Sequence, residues 1–339
     1  MSNEIYPQPS IYPLTFEPVF RDYIWGGRNL ETRFGRTLPP GIVAESWEIS
    51  GHPSSSTVVD AGALAGLSLP EVQARLGERL VGVRSSWATD RDKFPLLVKL
   101  LDANRRLSVQ VHPPDDYALA HENGEFGKTE MWYVLHAEPG AELIYGLARQ
   151  TTREAFRAAL DGGQLTELLH SLPIQAGDAI HVPTGTVHAL LEGTVVAEIQ
   201  QNSDTTYRVY DWGRLGNDGK PRPLHIEKAL DVIDFDMVAP QAVDPVVVAD
   251  DQGVQRREIS RCAYFCVEEV QLDAGAAYEG QCDGSTFEIW GCVQGEADLS
   301  WEGDPVSLPA IRFVLLPAAL GAFRIEAGGG ATLLRAYAP

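Results

Sequence analysis

The chain has 339 residues and a mass of 37.0 kDa, which is enough for two domains with their own cores, and its 44% hydrophobic and 22% charged residues are typical of a globular protein. Its 47 acidic residues against 27 Lys and Arg give a formal net charge of −20, which excludes nucleic acid and anionic membranes as expected partners. No apolar stretch is long enough to span a bilayer and MSNEIYPQPSIYPLTF is not a signal peptide, so we expect a cytoplasmic protein.

Short apolar runs between 32 Gly and 22 Pro predict a mainly β protein with a few helical insertions. The first predicted helix begins at Ser68, because a capping serine is followed by Pro70 and Glu71. A second follows the capping box at Thr152 and continues through 165–172, and a third covers 226–235. The clearest strands are 94–102, 106–113, 129–137, 178–183, 194–201 and 205–212.

We expect two β modules joined by a connection. Residues 1–237 form the first, with the helical insertions and the chemistry described below. Residues 238–254 hold two prolines and lack helical periodicity, so they are predicted to be the connection. Residues 255–339 contain no histidine and form the second module, which we expect to be free of metal.

The cysteines all lie in the second module. None of them forms a C-x₂-C pair, so a zinc ribbon is not expected, and we predict buried thiols in a reducing compartment. They are Cys262, Cys266, Cys282 and Cys292.

Two of the predicted strands carry polar side chains on one face. In RLSVQVHP, the period of two places Ser108, Gln110 and His112 together, facing either a barrel cavity or solvent. In GKTEMWYV, Lys128 and Glu130 share a face with a tryptophan. A glutamate buried there needs a cation, whereas an exposed edge position would need nothing.

The most specific pattern is GDAIHVPTGTVHAL. Its spacing, Gly177-x₅-Pro183-x-Gly185-x₂-His188, places a short strand between two turns and aims the histidine back towards a barrel interior. The stretch closely resembles the second signature motif of the cupin superfamily, which implies two cupin-type β-barrel (jelly-roll) modules, the second of them degenerate.

The three segments together offer two imidazoles, a carboxylate and an amide. Gln110, His112, Glu130 and His188 suit one Zn²⁺ per chain with an open position, and two histidines with a carboxylate could also hold Fe²⁺ or Mn²⁺. The residual positive charge of such a site suits an anionic or polyhydroxy substrate.

Three blocks in this order, FPLLVKLLDANRRLSVQVHPPDDYA, GKTEMWYVL and AEIQQNSDTTYRVYDWGR, resemble type I phosphomannose isomerase in its short bacterial form. The resemblance is strong over residues 10–235 and weak afterwards. It implies a zinc-dependent aldose–ketose isomerase that interconverts mannose 6-phosphate and fructose 6-phosphate through a cis-enediol. A phosphosugar is then the expected small-molecule partner, and the oligomeric state is not predicted.

The resemblance also implies site residues. The zinc ligands fall on the four residues given above, the catalytic residues on Arg208, Lys128 and Glu198, and the phosphate contacts on Lys99 and Ser108. Glu198 and Lys128 are both candidates for the proton-transferring base.

Some alternatives stay open at this point. His188 is followed by Ala-Leu rather than the Ala-Tyr of the longer family members, and Thr205 stands where they have Asn. Arg208 could pair with Asp211 instead of meeting a substrate oxyanion. Two rival functions remain: a cupin that binds or senses sugars, and a different metal-dependent cupin enzyme. A sensor would need no residue that moves a proton.

Overall fold

The computed structural model describes residues 11–216 and 219–339, which form two compact units. One unit contains Val19–Trp47 and Leu96–Asp244. The other contains the described residues up to Pro18 together with Glu48–Pro95 and Pro245–Pro339. Residues 48–95, including the first predicted helix, therefore cluster with the C-terminal strands, which a boundary drawn only at 238–254 does not anticipate. The assignment of catalysis to 1–237 stays a prediction.

The first thirteen strands are short, as the spacing of turn residues predicts. They are β1 (Phe16–Glu17), β2 (Val19–Arg21), β3 (Glu45–Ile49), β4 (Val58–Val59), β5 (Leu96–Ala103), β6 (Val109–Val111), β7 (Glu130–Ala137), β8 (Glu142–Leu147), β9 (Leu169–Pro173), β10 (Ala179–Val182), β11 (His188–Leu190), β12 (Thr194–Gln201) and β13 (Tyr207–Tyr210). One sheet has the order β10-β7-β12-β5-β3-β2, a second has the order β13-β6-β11-β8-β9, and β1 pairs with β4.

Seven α-helices and two 3₁₀ turns occur in the described chain. The helices are α1 (Asn29–Thr32), α2 (Leu69–Leu76), α3 (Glu78–Val81), α4 (Ser86–Thr89), α5 (Asp115–His121), α6 (Arg153–Asp161) and α7 (Ile226–Val232), and the 3₁₀ turns are Val83–Ser85 and Leu165–Leu168. Within the described residues, none of these helices is long and apolar enough to cross a membrane.

Two apolar clusters position the site in the unit that holds β5–β13. One combines residues of both sheets, including Leu101, Trp132 and Val196. The other packs Val109 and Val111 of β6 against apolar residues of α6 and α7. The apolar face of β6 is therefore covered, and its opposite face carries the polar residues predicted to line a cavity.

The remaining strands belong to the other unit. They are β14 (Val246–Asp251), β15 (Val254–Arg261), β16 (Cys266–Leu272), β17 (Ala277–Cys282), β18 (Glu288–Ser300), β19 (Val306–Pro309), β20 (Phe313–Leu316), β21 (Gly321–Glu326) and β22 (Ala331–Tyr337). They form one nine-stranded sheet, in which β16, β22 and β18 are neighbours.

The mainly β prediction is confirmed, but one local prediction is wrong. Residues 165–172 are a 3₁₀ turn followed by β9 rather than helix, because pairing with β8 outweighs the intrinsic helix propensity. The predicted connection includes β14, an edge strand in which three consecutive valines, Val246, Val247 and Val248, are all exposed, so their pattern gives no amphipathic signal.

The cysteines allow a stability prediction. Cys266, Cys282 and Cys292 are buried and Cys262 is half-buried, all as free thiols. Changing all four to Ala should lower the free energy of unfolding by about 2–4 kcal/mol, because each buried thiol packs as a small hydrophobe. Urea denaturation measures this loss, and metal analysis should show unchanged content. Loss of metal would mean that the site had been assigned to the wrong module.

Candidate active site

Strand pairing places a row of chemically active side chains across the first sheet. Glu198 of β12 is opposite Lys99 of β5 on one side and opposite Trp132 of β7 on the other. Directly opposed residues of antiparallel strands project to the same face, so the three side chains converge. The Trp132 indole Nε1–H donates to Glu198 Oε2 over 2.9 Å.

A second row crosses the other sheet. Gln110 of β6 is opposite His188 of β11 and also opposite Arg208 of β13. Gly185, at φ +84°, lies in the turn between β10 and His188, as the glycine in the motif predicts. The Gln110 amide nitrogen lies 3.3 Å from His188 Nε2, and rotation of the amide would present its oxygen at the same place.

Three of the four predicted metal ligands form a compact buried group. His112, Glu130 and His188 each offer a ligand atom, and these atoms lie within 4.8 Å of one another. Glu130 Oε2 lies 3.5 Å from His112 Nε2, and Glu130 Oε1 lies 3.3 Å from His188 Nε2. The structure therefore brings these predicted ligands together from three different strand ends.

The backbone fixes how both imidazoles are turned. His112 Nδ1 lies 2.9 Å from the Thr205 carbonyl oxygen, and His188 Nδ1 lies 2.8 Å from that of Thr186. A carbonyl only accepts hydrogen bonds, so each Nδ1 carries the proton and each Nε2 presents a lone pair towards Glu130. Metal-ligating histidines show this same arrangement.

The electrostatics of the group call for a cation. Burial and the nearby Lys128 ammonium lower the pKa of His112 to about 3, and burial also lowers the pKa of His188. Burial alone would raise the pKa of Glu130, but the Lys128 ammonium holds it well below its usual range. Among the described residues, none donates a hydrogen bond to Glu130 Oε1, although this atom is buried beside a neutral imidazole nitrogen. The Glu130 oxygen and the imidazole nitrogen are two acceptors that face each other with no proton between them, and a metal ion would satisfy both.

Lys128 links this group to the rest of the site. Its ammonium lies 2.5 Å from Glu130 Oε2, 3.2 Å from His112 Nε2 and 3.7 Å from Glu198 Oε1. Burial raises the pKa of Glu198 to about 6, against the opposing effect of Lys128 and Lys99. A buried carboxyl with that pKa can accept and return a proton near neutral pH.

A cavity of about 280 Å³ opens beside the group. Six predicted residues line it, namely Lys99, Ser108, Gln110, Lys128, Glu198 and Arg208. The metal-ligand candidates adjoin it through the contacts of Gln110 and Lys128. In a chain of net charge −20, this cavity gathers cations at one place, as binding of an anion requires.

Arg208 is not paired with Asp211, which was the structural alternative. Its Nε donates to Ser108 Oγ over 3.2 Å and its Nη1 to the Pro223 carbonyl oxygen over 2.9 Å. Asp211 instead pairs with Arg214 and Arg222.

The cavity also has lining residues that the sequence reasoning missed. Glu45 and Asp204 bring carboxylates to within 3.9 and 3.8 Å of Lys99 Nζ, and Arg222 adds a further guanidinium. Glu45 alternates with a tryptophan in AESWEIS, a polar-aromatic pattern like that of Glu130 and Trp132, and this could have indicated it. Arg222 follows an irregular segment and has no periodic signal.

Comparison with known proteins gives a consistent result. Residues 14–157 match the family described as phosphomannose isomerase type I, catalytic domain. The chain is 38% identical to the mannose-6-phosphate isomerase ManA of Bacillus subtilis, over 93% of this chain and 96% of that protein. It is 45% identical to the mannose-6-phosphate isomerase of Streptococcus mutans, over 65% and 67% respectively. The crystal structure of the mannose 6-phosphate isomerase from Bacillus subtilis has a TM-score of 0.84 and 34% identity, covering 96% of this chain and 99% of that one.

Proposed function

We propose a zinc-dependent mechanism for this chain, which belongs to the phosphomannose isomerase type I family and is a mannose-6-phosphate isomerase with the cupin fold. The observation that supports a bound metal is the buried group of His112, Glu130 and His188, in which Glu130 Oε1 accepts no hydrogen bond from the described residues. Two imidazoles and a carboxylate suit Zn²⁺ with at least one open position, and Gln110 could add an amide oxygen. When bound, the metal would act as a Lewis acid towards oxygen atoms of the sugar.

The reaction moves a proton between C1 and C2 of the sugar through a cis-enediol. We assign this transfer to Glu198, because its carboxyl lines the cavity and is held in place by Trp132 Nε1. Its raised pKa lets it take a proton from one carbon and return it to the other. Lys128 is the alternative base, but its ammonium is engaged with Glu130 and its conjugate base would be needed.

Removal of the carbon-bound proton gives an enediolate before the neutral enediol forms, and this enediolate and the phosphate both carry negative charge that the cavity must stabilise. Arg208 offers a planar guanidinium to a substrate oxyanion at the cavity wall. Ser108 lies beside it and can donate its hydroxyl to the phosphate. Lys99 lies 3.6–3.9 Å from three carboxylate oxygens, and its assignment to the phosphate stays a prediction.

Arg208→Lys should lower kcat/KM for mannose 6-phosphate by a factor that corresponds to about 2–3 kcal/mol of lost transition-state stabilisation. An ammonium keeps the positive charge but cannot make the two parallel hydrogen bonds of a guanidinium. Steady-state kinetics measure the effect. Arg153→Lys on α6, whose guanidinium pairs with Asp231 at the surface, is the matched control and should stay within twofold of the wild type. A near wild-type Arg208→Lys enzyme would show that Lys128 and the metal stabilise the charge without it.

The function as a whole is tested by two measurements on one preparation. A coupled assay should show conversion of mannose 6-phosphate to fructose 6-phosphate, and metal analysis should find about one zinc per active chain. Chelation should abolish turnover and added zinc should restore it. Binding of the phosphosugar without turnover in a zinc-loaded sample would favour a sensing role instead.

A further inference from the structure

The loop after β13 contains two arginines held by one aspartate. Asp211 accepts from Arg222 Nε over 2.8 Å and from Arg222 Nη2 over 2.6 Å, which is a bidentate contact. Arg214 Nη2 donates to the same carboxylate over 2.6 Å. Burial would raise the pKa of Asp211, but the two guanidiniums lower it, so the carboxylate stays ionised and the arginines stay oriented.

Arg222 and Arg214 differ in what they face. Arg222 lines the cavity next to Arg208, whose Nη1 donates to the carbonyl oxygen of Pro223, the residue after Arg222. Arg214 does not line it and instead donates Nη1 to the Arg106 carbonyl oxygen. Arg222 donates Nε and Nη2 to Asp211, and its Nη1 makes no hydrogen bond to any of the described residues. A donor of the held guanidinium therefore remains available to a ligand.

The two ends of the cavity carry opposite net charge. At the Arg208 end, the lining guanidiniums of Arg208 and Arg222, with Arg214 behind them, lie near one carboxylate among the described residues, that of Asp211. At the Glu198 end, two ammonium groups face four carboxylates, and a bound divalent cation would bring that set only to neutrality. The residues of that end are Lys99, Lys128, Glu45, Glu130, Glu198 and Asp204.

We propose that Arg222 binds the phosphate group of the substrate, together with Arg208 and Ser108, and that Asp211 positions it. This proposal rests on the proposed function for the identity of the sugar. It adds the residue that binds the phosphate and the direction in which the sugar lies in the cavity. A phosphate monoester carries a charge of about −1.5 to −2 at neutral pH, which matches the excess positive charge of this end.

The same charge distribution argues against a phosphate contact at Lys99. Its ammonium lies 3.6 Å from Glu198 Oε1 and 4.4 Å from the centre of the Trp47 ring, within a set of carboxylates. A phosphate placed there would lie against Glu45, Glu198 and Asp204. Lys99 therefore holds those carboxylates, and the sugar lies with its carbonyl end towards Glu198 and its phosphate towards Arg222.

A pair of inert ligands tests the assignment directly. A hexitol 6-phosphate and the same hexitol without phosphate cannot be isomerised, because neither has a carbonyl group. Their affinities for the zinc-loaded full chain are measured by calorimetry, with ligand-observed NMR for the weaker hexitol. Arg222→Gln should weaken binding of the hexitol 6-phosphate by about 10–100-fold and leave the hexitol within about twofold.

Two further variants make the result interpretable. Arg157→Gln removes the same charge from the surface of α6, where it pairs with Asp161 and Glu227, and should leave both affinities unchanged. Arg222→Lys keeps the charge but loses the bidentate contact with Asp211, and should give an intermediate loss for the phosphorylated ligand alone, even if Arg222→Gln proves unstable.

The proposal is overturned if Arg222→Gln or Arg222→Lys leaves binding of the hexitol 6-phosphate unchanged. It is equally overturned if both ligands weaken by the same factor, because that would mark a structural role for the loop. Failure of the wild type to turn over mannose 6-phosphate would refute the proposed function but would leave this binding comparison intact.

Discussion

Glu198→Gln should lower kcat for mannose 6-phosphate by about 10³–10⁴-fold with a small change in KM, because the amide cannot accept the proton that moves between C1 and C2. The substitution is nearly isosteric, and the Gln oxygen can still accept from Trp132 Nε1. Single-turnover kinetics and exchange of the transferred hydrogen with deuterated solvent measure the chemical step. Glu142→Gln, at an exposed position of β8, is the matched control and should retain full activity.

The pH dependence gives the same assignment a second readout. The base must be ionised, and burial raises the pKa of Glu198 to about 6. In the wild type, kcat/KM should therefore rise with pH and reach half its plateau at or below about pH 6, since a bound cation would lower this pKa. Glu198→Gln should lose that acidic limb. If Glu198→Gln kept kcat within about tenfold of the wild type while Lys128→Met was inactive, the proton transfer would be assigned to Lys128.

His188→Ala should reduce the metal content from about one ion to a small fraction per chain and should reduce activity below detection. Losing a direct ligand should cost more than the roughly 10–100-fold that loss of an outer partner costs, because Glu130 and His112 would then have to hold the ion without the second imidazole. The apolar cluster that contains Trp132 and Val196 does not include His188, so the fold should persist. Metal analysis and circular dichroism on the same sample measure both expectations.

A second histidine, on the strand that carries Glu130, serves as a control that is not a proposed ligand. His136 of β7 is partly exposed and pairs with Glu138, so His136→Ala should keep its metal and its activity. Full metal occupancy in His188→Ala would contradict the ligand assignment. It would also leave the unpaired Glu130 Oε1 without its explanation.

The strand-borne part of the site could be predicted because alternation is a local property. The period of two places Gln110 and His112 on one face, and the turns flanking β10 fix the position of His188. The predicted strand 194–201 coincides with β12. Once the register is given, Glu198 must lie between Lys99 and Trp132. The fold class follows from the same patterns of short strands and turns.

The remaining features depend on contacts between segments that are distant in the chain. Glu45 reaches Lys99 only because β3 lies beside β5, and sequence spacing does not specify sheet order. Arg222 lies outside the strands, and its guanidinium is held beside the cavity by Asp211. The split of the chain into interleaved ranges is of the same kind, because it reflects which surfaces pack together rather than any local composition.

The hydrogen bonds from the two imidazoles end on main-chain oxygens, and this affects how the site can change over evolutionary time. In sites where a carboxylate orients the histidine, one nucleotide change can remove the acceptor. Here the acceptors are the carbonyl groups of Thr186 and Thr205, which every amino acid supplies. The orientation of both rings is therefore set by the path of the backbone. Substitutions of Thr186 or Thr205 should preserve it, whereas changes that move the backbone would turn the imidazoles away from Glu130.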